Sequence, residues 1–188
     1  MPLTGLSPEG QRALACMQQL ADCRAQGTLD GPDFVAKALR AVAEGLGCDR
    51  MSLWLHGDHA GGRALVCRGL HDGSGRLATS ELPPLVEAEH AAYFEALDRH
   101  GILSAADAQQ HPALVTMREA YLVPHDIRSL LDVPFAANGR RIGLLCGEQA
   151  GRRIDWQPAQ VALMRRAGIV GSLLFERQRL HEARLGPG

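Results

Sequence analysis

Apolar and polar positions are patterned most densely over residues 128–148, RSLLDVPFAANGRRIGLLCGE. Leu130, Leu131, Val133 and Phe135 supply one arm, and Ile142, Leu144, Leu145 and Cys146 the other. Ala137-Asn138-Gly139 lies between them, and Asn-Gly is a strong signal for a two-residue hairpin turn. Two arms this apolar need cover from helices or other strands. Upstream, RMSLWLH (50–56) predicts a strand with Met51, Leu53 and Leu55 on one face and Ser52, Trp54 and His56 on the other. Ala64 to Cys67 predicts its antiparallel partner.

Helical spacing marks the rest of the chain. Ser7-Pro8-Glu9 reads as a capped start, with Leu14, Met17, Leu20 and Ala21 following to about Arg24. A second helix opens near Pro32, presents Phe34, Val35, Ala38, Leu39, Val42 and Leu46, and stops at Gly47. The signal is weak from Gly69 to Pro84, where a strand near Leu77 is expected. A helix over 85–99 gathers Val86, Tyr93, Phe94 and Leu97, and Gly101 ends it. Ile102-Leu103-Ser104 reads as a short strand, Asp107 to Pro112 as a loop that Asp107 braces, and Leu114 to Leu122 as a short helix. Trp156 and Pro158 open the last helix, in which Val161, Met164, Ala167, Ile169, Val170, Leu173, Leu174 and Leu180 recur. That stripe is wide enough to predict burial against more than one element.

These elements predict an α+β domain with a mixed or antiparallel sheet and helices packed on it. No internal repeat is visible. The chain has 188 residues, 46% of them hydrophobic, enough for one domain with extra helices at its ends. The apolar stripes of the first and last helices exceed what one sheet face needs, so a homodimer through the terminal helices is expected. A formal net charge of −1 argues against a nucleic-acid partner. The first residues, MPLTGLSPEG, do not read as a secretion signal, and no apolar run approaches the roughly 20 residues that span a bilayer. Cytoplasmic residence without a membrane partner is the expectation. Five cysteines without a CxxC pair argue against a disulfide framework or a structural zinc site.

Catalytic and phosphate-binding signatures are missing from the sequence. The glycines match neither GxGxxG nor a Walker loop, and no GxSxG elbow surrounds Ser104 or Ser129. His56 and His59 have no third metal ligand nearby in sequence, while a single haem-ligating histidine would leave no spacing signature. Cys67 and Cys146 lie in strand-like apolar contexts and read as packed thiols. Glu87, Glu89, Asp107, Asp126, Asp132 and Glu148 show no diagnostic acid–base pairing. A binding pocket is better supported, because the long insertion between residues 71 and 127 can roof one sheet face. Trp54, Tyr93, Met117 and Tyr121 are its candidate apolar walls. His71, His125, Asp126 and Ser129 are its candidate polar contacts. The cofactor is left unassigned.

The run over residues 121–170, with Ile127-Arg128-Ser129-Leu130-Leu131, Val133-Pro134, Gly139-Arg140, Ile142-Gly143 and Trp156 in that order, resembles the C-terminal half of a GAF domain. DRMSLWLH (49–56) resembles that family's first strand, and GILSAADAQQHPALVTMREAYL (101–122) its approach to the central strands. The resemblance implies a central antiparallel sheet with terminal helices on one side and a helix/loop insertion over a pocket on the other. It divides the chain into a dimerisation helix (1–29), the GAF-like domain (30–178) and the end of the last helix with a tail (179–188). It also implies a small-molecule-sensing or signal-transmitting regulatory domain, acting through ligand binding and dimerisation on a separate signalling protein. Known members bind cyclic nucleotides, bilins, haem or small metabolites. The insertion lacks the attachment cysteine of bilin-binding members, and the Asn-Lys-x-x-x-Phe pattern of cyclic-nucleotide members is absent. Two alternatives stand beside this reading: a free methionine sulfoxide reductase-like thiol enzyme using Cys67 or Cys146, and a structural dimerisation module with no ligand.

Overall fold

Asn138 and Gly139 both take positive φ, +50° and +74°, as a two-residue hairpin turn of the type I′ class requires. They join β5 (Ile127–Ala137) to β6 (Arg140–Ala150), which pair along almost their whole length. The computed structural model describes residues 5–59, 62–75 and 77–185, with side chains described as far as Glu176 except that of Leu174. The expectations placed on Leu174 and Leu180 therefore lie outside the described side chains. Among the described residues, six antiparallel strands form one sheet in the order β3-β2-β1-β6-β5-β4. The others are β1 (Arg50–His59), β2 (Gly62–Asp72), β3 (Leu85–Val86) and β4 (Leu103–Ala105). β6 passes so close to β1 that a Cβ on Gly143 would stand 1.9 Å from the Trp54 carbonyl oxygen, which only glycine permits.

Three helices close one face. Ser7 caps α1 (Pro8–Ala25) by accepting the Gly10 amide at 3.1 Å, and Asp30 caps α2 (Gly31–Leu46) by accepting the Asp33 amide at 2.7 Å. Gly47 ends α2 in the left-handed conformation. Ala13 and Met17 of α1, Leu39, Val42 and Leu46 of α2, and Leu163, Met164 and Ala167 of α5 (Pro158–Leu185) bury against this face. The sheet offers them Met51, Leu131, Val133, Phe135 and Leu145. The first and last helices thus share one side of the sheet with α2. The broad stripe of α5 is not fully used within the chain: Ile169 is 47% exposed and Leu173 61%. No helix of the described residues is long and apolar enough to cross a membrane.

The opposite face carries the insertion. It contains α3 (Ala91–His100), then β4, then a helical segment of α4 (Val115–Met117) and a π turn at Arg118–Leu122. Tyr93, Phe94, Leu97, Leu114, Met117 and Leu122 pack onto Trp54, Leu65, Leu130 and Leu144 of the sheet. Its first half is tied down at the edge. β3 pairs with β2, and Arg63 makes a two-pronged ion pair with Glu87 at 2.6 and 2.7 Å while lying 5.3 Å over the Phe94 ring.

Three local expectations are corrected. The helix expected over 85–99 begins at Ala91, because Leu85 and Val86 follow two prolines and pair with Leu65 and Ala64 at the edge of β2. Leu77 lies in no strand; the short 3-10 turn Thr79–Glu81 comes next. The last helix, α5, starts at Pro158, and Trp156 precedes it.

Candidate functional site

Each strand alternates sides, so every second residue of β1, β5 and β6 points beneath the insertion. Most of these residues are apolar, but a row in the middle is not. Arg50 lies opposite Glu148, Ser52 opposite Cys146, and Asp132 opposite Cys146 from the other side. Arg50 also pairs across the sheet with Asp72 of β2, Nε to Oδ1 at 3.1 Å. Arg50, Ser52, Asp132 and Glu148 are all buried. Charged groups in such a place need partners, and the insertion provides two. The Tyr93 hydroxyl donates to Asp132 Oδ2 at 2.5 Å, and the Tyr121 hydroxyl to Glu148 Oε2 at 2.9 Å. Two tyrosines thus latch the lid to two carboxylates of the sheet.

Burial sets the proton affinities here. Removal from water pushes the Glu148 carboxyl up to about 7, with the nearby Asp132 adding to the shift and the Tyr121 hydroxyl and Arg50 opposing it. Burial likewise raises Asp132 to about 6 against the opposing contacts from Cys146 and Tyr93. The Asp72 carboxyl behaves otherwise. Although burial works to raise it, hydrogen bonds from Ser74, from the Leu77 amide and from Arg50 hold it well below the usual carboxylate range. Burial pushes the Cys146 thiol far above its ordinary value, and Asp132 and Glu148 on either side add to that. Cys67 is pushed up to about 11, again chiefly by burial.

The structure brings together Trp54, Tyr93, Met117 and Tyr121 from the expected set, all packed into the cluster between lid and sheet. Trp54 anchors its indole N–H on Ser52 Oγ at 2.8 Å. His125 joins them at the margin, its ring 4.9 Å from that of Tyr121. The other three lie elsewhere. A bulge between Leu53 and Trp54 leaves Arg68 as the extra residue of β2, which reverses the alternation beyond it. His71 is consequently paired with Met51, on the helix-covered face. Asp126 is an exposed turn residue at φ +49°, bonded to Arg128 at 2.7 Å. The buried Ser129 hydroxyl is used internally, donating to the Ala106 carbonyl and accepting the Ile154 amide, both at 2.8 Å. Asp107 braces its loop through an ion pair with Arg153 at 2.6 Å.

Three charged members of the row, Arg50, Asp132 and Glu148, are not among the residues the sequence reading assigns to the pocket. The sign available in the sequence was Asp132 itself, an acid in the middle of an otherwise apolar strand. An apolar cleft of about 50 Å³ opens on the other face, lined by Phe34, Val35, Leu39, Leu53 and Phe135 among others. It is far smaller than a typical ligand cavity, and nothing polar lines it to orient a ligand. Among the described residues no cluster of His, Cys, Asp or Glu has the arrangement to hold a metal ion.

This architecture agrees with the comparisons with known proteins. The GAF domain family model matches residues 30–170. The chain belongs to the GAF domain family. No curated protein matches it in sequence. Among solved structures it is similar to the free methionine-R-sulfoxide reductase of Neisseria meningitidis in complex with its substrate, at 18% identity and a TM-score of 0.69, over 94% of this chain and 95% of that one. It is similar to the GAF domain of a phosphoenolpyruvate-protein phosphotransferase from Coxiella burnetii, at 18% identity and TM-score 0.63, over 90% and 99%. It is also similar to a phycocyanobilin-bound GAF domain from a cyanobacterial phytochrome, at 16% identity and TM-score 0.65, over 90% and 95%. At these identities the likeness is one of fold.

Proposed function

We propose that this GAF domain is a cytoplasmic regulatory module. It takes a small molecule between lid and sheet, and signals through the packing of its terminal helices in a homodimer. The observation that carries the reading is the double latch, Tyr93 on Asp132 and Tyr121 on Glu148. A lid held over a buried polar row by two hydrogen bonds can exchange them for bonds to a ligand, where a lid held by apolar packing alone has nothing to exchange. A ligand acts as a switch only if it binds the two lid positions unequally, and competition for Glu148 supplies that inequality. Residues 1–29 serve in this reading as the dimerisation helix, 30–178 as the sensor and 179–188 as the tail. Ile169 and Leu173, exposed on α5, supply the contact between protomers, and a separate signalling protein receives the output.

The thiol-reductase reading is less well supported. A thiol attacks as its thiolate, and Cys146 is buried between two carboxylates that oppose ionisation. The purely structural reading accounts for the packed lid but gives no reason to bury acids beneath it.

Native mass spectrometry and sedimentation of the freshly purified chain test the proposal together. A dimer whose protomers each carry a small molecule supports it. A strict monomer without any adduct overturns it.

A further inference from the structure

The polar row beneath the lid is unbalanced in charge and in hydrogen bonds. Asp132 and Glu148 are two acids on this part of the sheet, and among the described residues the Arg50 guanidinium beside them is already shared with Asp72. The latches and the Arg50–Asp72 pair use some of the available atoms, and two remain unused. Asp132 Oδ1 has no hydrogen-bond partner, although the residue is 1% exposed. Arg50 Nη1 has none either, and that residue is 7% exposed. The Cys146 thiol faces Asp132 from the neighbouring strand, but a thiol is a weak donor. Buried polar atoms are almost always paired in native proteins, so the orphans of Asp132 and Arg50, two of the three on this sheet face with His56 Nδ1, call for an explanation.

The orphans are of opposite kinds. Asp132 on β5 wants a donor, and Arg50 on β1 wants an acceptor. Between them on β6 stand Cys146 and Glu148. Taking the lid side as the ligand site, we infer that its ligand is a small protonated amine with a hydrogen-bond acceptor at its far end. The ammonium group sits between Asp132 and Glu148, replacing the Tyr121 hydroxyl at the latter, and the acceptor receives Arg50 Nη1. Trp54, Met117 and Leu144, packed in the same cluster, face the carbon chain that joins the two ends. Anionic ligands are disfavoured between Asp132 and Glu148, whose carboxylates repel a further negative charge.

The assignment carries a pH dependence. An ammonium group needs its two acids ionised, and both hold their protons more tightly than ordinary carboxyls. The groups facing them are Tyr93 from α3, Tyr121 from the π turn, Cys146 on β6 and Arg50 on β1, with His125 at the margin. Burial lowers the proton affinity of His125, and the others keep their charge state over this range, so amine affinity rises with pH as the acids ionise.

Calorimetric titration of the full chain tests the assignment at pH 6 and pH 8 with 4-aminobutan-1-ol, butylamine, butan-1-ol, butyrate and inorganic phosphate. The expected result is binding of the two amines only, with 4-aminobutan-1-ol the tighter. Affinity is at least about tenfold weaker at pH 6, since the acids must lose protons first. Asp132→Asn removes about tenfold or more, and Arg50→Met abolishes the advantage of 4-aminobutan-1-ol over butylamine. The wild-type series decides the matter even if a variant folds poorly. Binding of butyrate or phosphate with both amines silent overturns the amine assignment and leaves the ligand site standing. Silence of every probe, together with no bound molecule in the native mass, removes the ligand site and the amine assignment with it.

Discussion

Tyr93 of the lid and Asp132 of β5 are joined by a hydrogen bond of 2.5 Å, and both side chains are buried. Removing the hydroxyl leaves a carboxylate oxygen in apolar surroundings with no water to replace the lost donor. Tyr93→Phe is therefore expected to destabilise the chain by about 1–3 kcal/mol, measured by urea unfolding. Tyr121 is half-buried where Tyr93 is fully buried, so its hydroxyl gives up less on removal and Tyr121→Phe is expected to cost less. Equal effects from the two substitutions would contradict this ordering.

Asp132 and Glu148 give stability an unusual pH dependence. Their folded values, about 6 and about 7, lie above the ordinary 3.8 and 4.5, so the folded chain binds more protons than the unfolded one between those limits. Their contribution to stability then falls as pH rises from about 4 to about 7 and levels off above. Asp72 works in the opposite sense, but its contribution is lost only at far lower pH. Burial also lowers the proton affinity of His56, His90, His111 and His125, which works in the opposite sense over the same range. The check is therefore the difference between two proteins: the melting temperature of Glu148→Gln should gain on that of the wild type as pH rises from 5 to 8. A difference between variant and wild type that stays flat or falls over that range would count against the buried row.

Leu173 is 61% exposed on α5, where an apolar side chain gains nothing in an isolated protomer. Leu173→Glu should leave the melting temperature of dilute protein nearly unchanged and shift the sedimentation profile from dimer to monomer. An unchanged dimer would place the contact on another surface.

Gly143 has no space for a side chain, with the Trp54 carbonyl 1.9 Å from its would-be Cβ. Backbone cannot move aside as a flexible side chain can. Gly143→Ala should force β6 away from β1 and destabilise the chain by about 2–3 kcal/mol in denaturant titration. A neutral substitution would show that the two strands lie farther apart.

The hairpin, the helix caps and the two faces of β1 were legible in the sequence because each depends on local chemistry. Asn138-Gly139 needs left-handed backbone, Ser7 and Gly47 mark helix ends, and strand alternation separates Met51 from Ser52. The polar row was harder to read. Leu130, Leu131 and Val133 surround Asp132 with apolar neighbours because β5 is covered on both faces, so alternation does not reveal which side holds the acid. Arg50 and Glu148 stand at strand positions that look like solvent-facing ends until the lid covers them. His71 was placed by counting in twos, and the bulge at Arg68 broke the count. The Leu85–Val86 strand was absorbed into a helix because Val86 falls in phase with Tyr93, Phe94 and Leu97, although the prolines at 83 and 84 delay the helix.

Hydrogen exchange over residues 115–126, compared with that of β5 and β6, bears most directly on the latched lid. In the Tyr93→Phe/Tyr121→Phe double variant, the amides of 115–126 are predicted to exchange much faster than in the wild type while the ladder between β5 and β6 stays protected. Exchange of that segment unchanged from wild type, or accelerated only in step with the whole sheet, would contradict a lid held by its two tyrosine–carboxylate bonds.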